Sequence, residues 1–152
     1  MFEQRGAADI LRIIFKLTAA GLLVIIAWTD WRIKRIPNSC VLGVLASGII
    51  SIWIFSEISL MQRMTGCFCI SIPLLVLACL IPGSIGGGDV KLLAAGGFLF
   101  GMRGIWNAFV MGIMSAGAYC IIVLFLKMAG RKSEIALGPF LCIGMVIEIL
   151  KM

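Results

Sequence analysis

The chain has 152 residues, of which 62% are hydrophobic and 13% charged, with a formal net charge of +6. With a mean hydropathy of +1.15, it has too little polar surface for a soluble globule, so the composition indicates an integral membrane protein. No histidine is present, which excludes Ser-His and Cys-His nucleophiles and histidine-based zinc sites.

Continuous apolar stretches predict an all-α polytopic bundle with no soluble domain, in which residues 1–152 form a single transmembrane domain. Six spans are predicted, at about 10–28, 40–56, 66–82, 90–102, 105–126 and 136–150. The fourth and sixth are shorter than the roughly 20 residues that cross a hydrocarbon core, so they must tilt, thin the bilayer or begin below its surface. The first span ends without a signal-peptide cleavage pattern, so we expect it to remain as a span.

The distribution of Lys and Arg orients the predicted bundle. Seven basic residues fall in the first, third and fifth loops: Arg32, Lys34, Arg35, Lys91, Lys127, Arg131 and Lys132. Four fall on the opposite side: Arg5, Arg63, Arg103 and Lys151. The positive-inside rule therefore places the odd-numbered loops in the cytoplasm, with both termini outside. Asp30 and Asp89 then share the cytoplasmic face of the inner membrane.

Two other features of the composition have ordinary explanations. The six cysteines lie within or at the edges of apolar stretches and form no C-x-x-C pair, so we interpret them as packing residues rather than metal ligands or disulfides. The excess of positive charge is typical of contact with anionic lipids, and no nucleic-acid partner is predicted. The sequence predicts no metal, no cofactor and no particular oligomeric state.

Asp89 follows a glycine-rich loop, Gly86-Gly87-Gly88, and directly precedes an apolar run. Irregular backbone of this kind can dip below the membrane surface only where protein or a water-filled cavity surrounds it. Glycines without Cβ atoms also let an extended substrate backbone come close to the acid. Together with Asp30 at the end of the first span, this pattern suggests an aspartic peptidase that works at the membrane surface.

Two aspartates on one face can hydrolyse an amide without a covalent intermediate. One carboxylate takes a proton from water, while its protonated partner polarises the scissile carbonyl and later helps the amine to leave. Two carboxyls held a few ångströms apart in a partly desolvated site do not both ionise readily, so such a pair titrates as a unit.

These motifs resemble the prepilin peptidase family, the GxGD aspartic peptidases that remove leaders from type IV prepilins. The matching segments are Asp30-x5-Ile36-Pro37-Asn38, Gly86-x-Gly88-Asp89-Val90-Lys91-Leu92 and Ala136-Leu137-Gly138-Pro139-Phe140. The resemblance implies that Asp30 and Asp89 are the catalytic pair. It also implies structural or substrate-positioning roles for a further set: Gly86, Gly88, Lys91, Pro37, Asn38, Gly138 and Pro139. The implied substrate is a prepilin-like precursor with a basic leader and a hydrophobic helix.

The chain departs from the larger members of that family. Those members carry a cytoplasmic insert after the first span, often with paired C-x-x-C motifs, and also N-methylate the new terminus. Here only residues 31–39 separate the first two spans, so N-methyltransferase activity is not expected. The chain is similar to the short, peptidase-only form seen with tight-adherence (Flp-type) pili and archaeal preflagellins.

Several alternatives remain open from the sequence. Asp30 could pair with Arg32 or Lys34 at the membrane interface, and Asp89 could be a helix N-cap. A small ion-coupled transporter or channel could use the two acids to bind a cation, and a Ser-Lys hydrolase could use Ser84 and Lys91. Besides the two aspartates, the predicted cytoplasmic loops hold only Glu134 as an acid to recognise a basic leader, so anionic lipid is expected to attract much of the leader's charge.

Overall fold

The computed structural model describes residues 2–55, 57–81, 85–126 and 136–152, with side chains from Asp9 onward. Five helices make up this part of the chain: α1 (Phe2–Ile33), α2 (Asn38–Ile54), α3 (Leu60–Leu80), α4 (Gly87–Phe125) and α5 (Gly138–Lys151). The described residues contain no strand, so the predicted all-α class is confirmed. Residues Asp9–Ile33 of α1, together with α3 and α4, are long and apolar enough to cross a membrane.

The long helix α4 breaks at Gly101, where the backbone has φ of 71° and ψ of −179°. Glycine reaches this left-handed region at little cost, whereas a Cβ atom makes it strained. Beyond the break the chain reverses, because Ile105 Cδ1 lies 3.2 Å from the position that a Cβ on Gly96 would take. Residues nine apart in a straight helix would be separated by about 13 Å. The two halves of α4, 87–100 and 102–125, therefore run antiparallel.

This reversal explains how five helices relate to six predicted spans. The predicted fourth and fifth spans, about 90–102 and 105–126, correspond to the two halves of α4. The sequence placed their division near Arg103, because a charged residue interrupts the hydropathy there. The backbone instead turns at Gly101, which is the residue that tolerates a positive φ.

The first half of α4 lies at the centre of the bundle. Neighbouring helices α2 and α3 pack against it, while α5 packs mainly against the second half and α1 lies outside, against α2 and α5. Buried apolar side chains from this half form much of the core: Leu92, Leu93, Ala95, Leu99 and Phe100. The acid at its N-terminus is thereby fixed to the most tightly packed part of the protein.

Close packing in this core depends on small residues. Gly97 of α4 contacts Gly66 of α3 backbone to backbone, and Gly144 of α5 contacts Ala108 in the second half of α4 in the same way. A Cβ on Gly97 would overlap the carbonyl oxygen of Gly66. Small residues at helix interfaces allow this close approach in a membrane, where lipid supplies no hydrophobic drive for helix association.

Arg63 lies within α3 and is fully buried, so this helix begins before the start of the predicted third span at about residue 66. Its guanidinium donates to Ser51 Oγ at 2.5 Å and to the carbonyl oxygens of Phe55, Phe98 and Leu99 at 3.2–3.3 Å. These carbonyls lie at the C-terminal ends of α2 and of the first half of α4. The positive charge therefore lies at two helix C-termini, where the helix dipole favours a cation.

Candidate active site

Asp30 lies one turn before the end of α1 and is only 6% exposed. The helix stops at Lys34, which has φ of 53° and whose N–H donates to the Asp30 carbonyl at 2.8 Å. A left-handed residue in this place is a common helix C-terminus. Pro37 then begins α2 as its N-cap residue, so residues 34–37 form a short, stiff connection directly after Asp30.

Asp89 lies in the first turn of α4, where an acid is favoured by the helix dipole. The N-cap residue is Gly86, whose carbonyl accepts the N–H of Asp89 at 3.0 Å. Asp89 Oδ2 turns back and lies 3.1 Å from the position that a Cβ on Gly86 would take. Asp89 is therefore not the N-cap of this helix, and the missing side chain of Gly86 leaves room for its carboxyl group.

Gly138, at the start of α5, is the point where the two acids meet. Asp30 Oδ2 occupies the space that a Cβ on Gly138 would need, and Asp89 Oδ1 lies 3.3 Å from the same position. The backbone N–H of Gly138 also donates to the Asp30 carboxyl. Pro139 follows in the first helical turn. Proline is tolerated there because an N–H in this turn would have no acceptor within the helix. Because both carboxyl oxygens lie close to the one Cβ position of Gly138, the distance between them is short enough for a single water molecule to bridge them. Two hydrogen bonds through one water span about 5.6 Å.

Within the described part of the chain, no cation neutralises this pair. Both ion pairs there lie at the other end of the bundle: Arg12 with Glu57, and Lys151 with Glu148. Arg32 lies over the Trp28 ring at 5.5 Å instead of pairing with Asp30. Two carboxyl groups that converge without a counter-ion do not both ionise readily, so this geometry favours one shared proton.

The first loop packs onto the start of α4 and so sets the position of one acid relative to the other. Lys91 Nζ donates to Asn38 Oδ1 at 3.2 Å. The Cβ of Ile36 lies 3.0 Å from the position that a Cβ on Gly88 would take. These two contacts tie the loop after Asp30 to the helical turn that carries Asp89.

The structure describes all of the site residues predicted from the sequence. Several other residues named in predictions lie outside the described ranges. Ser84 of the Ser-Lys alternative, Glu134 and the three basic residues of the fifth loop lie outside the described residues. Among the residues that are described, no three potential His, Cys, Asp or Glu ligands gather in a group that could hold a metal ion.

An aromatic cluster of Trp31, Tyr119 and Phe140 borders the site. The Tyr119 ring centroid lies 6.2 Å from that of Trp31 and 5.3 Å from that of Phe140. Trp31 follows Asp30 directly, and Phe140 begins the turn after Gly138. Sequence reasoning missed Tyr119, because only the reversal of α4 brings its second half back to the acids. Its sole signal was that it is the one tyrosine in the chain.

The chain is similar to known proteins of one family. The model of the type IV leader peptidase family matches residues 17–128. Over 130 residues the chain is 26% identical to a prepilin leader peptidase/N-methyltransferase of Bacillus subtilis (strain 168), covering 86% of this chain and 52% of that protein. Over 148 residues it is 27% identical to a protein of the same name from Legionella pneumophila, covering 91% of this chain and 50% of that protein. No solved structure matches the chain.

The described structure is a helical bundle with helices apolar enough to cross a membrane, and two acids converge at one end of it. Since the family match covers well over half of its length and includes both aspartates, the chain belongs to the type IV leader peptidase family. It spans about half the length of the two relatives named above. Gly138 lies beyond the matched residues, so its place in the site rests on its contacts with the two acids.

Proposed function

We propose that this protein is an aspartic endopeptidase that removes the basic leader from type IV prepilin-like or Flp-type precursors at the cytoplasmic face of the inner membrane. The observation that carries the proposal is the convergence of Asp30 and Asp89 on Gly138. Membership of the leader peptidase family supports it, as do the two relatives that are named as prepilin leader peptidases.

In the proposed reaction, the pair activates a water molecule held between the two carboxyl groups. The ionised carboxylate takes a proton from this water as its oxygen attacks the scissile carbonyl. The protonated carboxyl polarises that carbonyl and then supplies a proton to the departing amine. The Gly138 N–H and the contacts around Gly86 hold the two groups in place, which matters because misplacement by about 1 Å can cost roughly a hundredfold in rate.

The surroundings of the pair suit a substrate with a charged and an apolar part. The aromatic cluster offers a surface against which an apolar side chain next to the cleaved bond can pack. The hydrophobic helix of the substrate remains in contact with lipid. Anionic lipid at the cytoplasmic face attracts the basic leader. We assign the peptidase step alone, because residues 31–39 leave no room for the insert that accompanies methyl transfer in the larger family members.

The decisive experiment is co-expression of the protein with a prepilin-like precursor, scored for loss of the leader. We expect Asp30→Asn and Asp89→Asn each to abolish cleavage while the protein remains inserted in the membrane. Asp9→Asn is the matched control, because Asp9 is exposed on α1 and far from the site. Retained cleavage by either site variant would contradict the mechanism. Ion flux in liposomes that both site substitutions abolish, without cleavage of any precursor, would favour the transporter alternative.

A further inference from the structure

A polar cavity of about 470 Å³ opens at the end of the bundle opposite the two acids. The connection between α2 and α3, the break in α4 and the end of α5 form its walls. Charged and amide side chains from all three walls line it: Glu57, Gln62, Arg103, Glu148 and Lys151. Concave sites with a few converging polar groups are typical of small-ligand binding, and the proposed peptidase reaction does not use this one.

Glu148 supplies an unsatisfied acceptor in the cavity wall. Its side chain is only 13% exposed, and its Oε2 atom is shielded from solvent and accepts no hydrogen bond from the described residues. Lys151 Nζ lies 3.6 Å from this atom, which is too long for a hydrogen bond. The other carboxyl oxygen, Oε1, lies 3.5 Å from the position that a Cβ on Gly104 would take, and both Gly104 and Glu148 line the cavity. A ligand in the cavity that offers N–H donors to Oε1 would therefore be bound favourably.

The cavity also carries positive charge. Arg103 is exposed, and the Lys151 side chain is 55% exposed, so both can turn toward a bound anion. Glu57 is partly engaged, because Arg12 lies 3.8 Å from it. The lining thus combines an acceptor at Glu148 with Arg103, which has no described ion-pair partner, and with Lys151, which lies 3.6 Å from Glu148. This pattern is complementary to a ligand that carries both an ammonium and an anionic group.

Two exposed tryptophans indicate where this end lies relative to lipid. Trp53, at the end of α2, is 89% exposed, and Trp106, one turn after Arg103, is 55% exposed. Tryptophan concentrates at the level of the lipid headgroups. The cavity therefore opens at the depth where headgroups, rather than acyl chains, are available.

We propose that this cavity binds a phosphoethanolamine group. Its primary ammonium donates to Glu148 Oε1, and its phosphate lies against Arg103 and Lys151. The missing side chain of Gly104 leaves space for the acceptor, because a Cβ there would lie 3.4 Å from Glu148 Cγ and closer still to Phe100. The group can come from phosphatidylethanolamine in the bilayer or from a soluble phosphoethanolamine.

The test is lipid binding to the purified full chain in detergent, followed by native mass spectrometry. We expect phosphatidylethanolamine to bind at least about tenfold more tightly than phosphatidylcholine, whose quaternary ammonium has no N–H, or phosphatidylglycerol, which has no ammonium. Glu148→Gln should weaken phosphatidylethanolamine binding by about tenfold. Arg103→Gln should weaken both phosphatidylethanolamine and phosphatidylglycerol. Lys34→Gln, at the opposite end, is the matched control and should change neither.

Equal binding of the three lipids, or full binding of phosphatidylethanolamine by Glu148→Gln, would overturn the proposal. If Glu148→Gln fails to fold, Lys151→Gln on the exposed side of the cavity tests the same site. Competition by soluble O-phosphoethanolamine would assign recognition to the headgroup alone, and its absence would assign it to the intact lipid. Because binding is measured without cleavage, failure here leaves the proposed peptidase function untouched.

Discussion

The two ends of the bundle hold buried charge in different ways. At one end, Arg63 is surrounded by acceptors from α2, α4 and the connection between α2 and α3, including Ser51 Oγ and the carbonyl of Phe55. At the other end, the paired acids receive one described donor, the N–H of Gly138. A buried ion with many hydrogen-bond partners is typical of a structural role. Two converging acids with few hydrogen-bond donors are typical of a functional site. Burial alone therefore does not mark a functional charge; the number of its partners does.

The largest effect on stability should come from Arg63→Met. This substitution keeps most of the side-chain volume but leaves the helix-terminal carbonyls without a donor, which should cost about 2–4 kcal/mol. Thermal unfolding of the purified protein in detergent measures the change. Arg103→Met, at the same end but exposed, should stay within about 0.5 kcal/mol of wild type. Equal stability of the two variants would show that the Arg63 network is not structural.

Gly138→Ala should have the largest effect on activity among substitutions that spare both aspartates. The new Cβ would overlap the Asp30 carboxyl, so one acid must move, and we expect prepilin cleavage to fall by about a hundredfold. Gly87→Ala is the matched control, because a Cβ there meets nothing within 4 Å. Both variants should be inserted normally. Wild-type cleavage by Gly138→Ala would show that the convergence at Gly138 is irrelevant to the reaction.

A smaller effect is expected from the hydrogen bond between Lys91 and Asn38. Both residues are exposed, so Lys91→Met and Asn38→Ala should each lower kcat/KM only a few-fold. In a double-mutant cycle of cleavage rates, the two changes should show a coupling of about 0.5–1 kcal/mol. Fully additive losses would mean that this contact does not position the first loop against α4.

The smallest expected change is a gain in stability from Lys34→Gly. Lys34 holds a left-handed conformation, which glycine adopts without strain, and we expect a gain of about 0.5 kcal/mol. Lys34→Ala keeps the strained backbone and removes the same side chain, so it should show no gain. Thermal unfolding of the three proteins side by side makes the comparison. A gain in Lys34→Ala as large as in Lys34→Gly would assign the effect to the charge rather than to the backbone.

Much of the fold could be predicted from hydropathy, because each helix is a continuous apolar run. The turn inside α4 was placed a few residues late, since Arg103 is visible in the sequence whereas the positive φ of Gly101 is not. The predicted third span began at about residue 66 and so left out Arg63, because an arginine lowers the local hydropathy. Most of the carbonyls that surround it come from α2 and α4, so the local sequence around Arg63 does not predict these hydrogen bonds.

The candidate site was predictable in a similar, partial way. The distribution of basic residues put Asp30 and Asp89 on one face, and the structure brings them together. The contact of both acids with Gly138 joins residues that are 49 or more positions apart, and the spacing of motifs carries no distance information. Tyr119 was not predicted, because it comes near the two acids only through the reversal of α4.

The turn at Gly101 also acts as a fixed pivot for the half-helix that carries Asp89. Gly66 packs against the backbone on both sides of it, at Gly97 and at Met102. Asp89 lies twelve residues before the turn, at the end of a half-helix about 18 Å long. A rotation of five degrees about that pivot would swing the carboxyl through about 1.5 Å, as follows from the length of the half-helix. The alignment of the two acids thus depends on glycines at the far end of the bundle, so a substitution at Gly66 or Gly97 should displace Asp89 without contacting either acid.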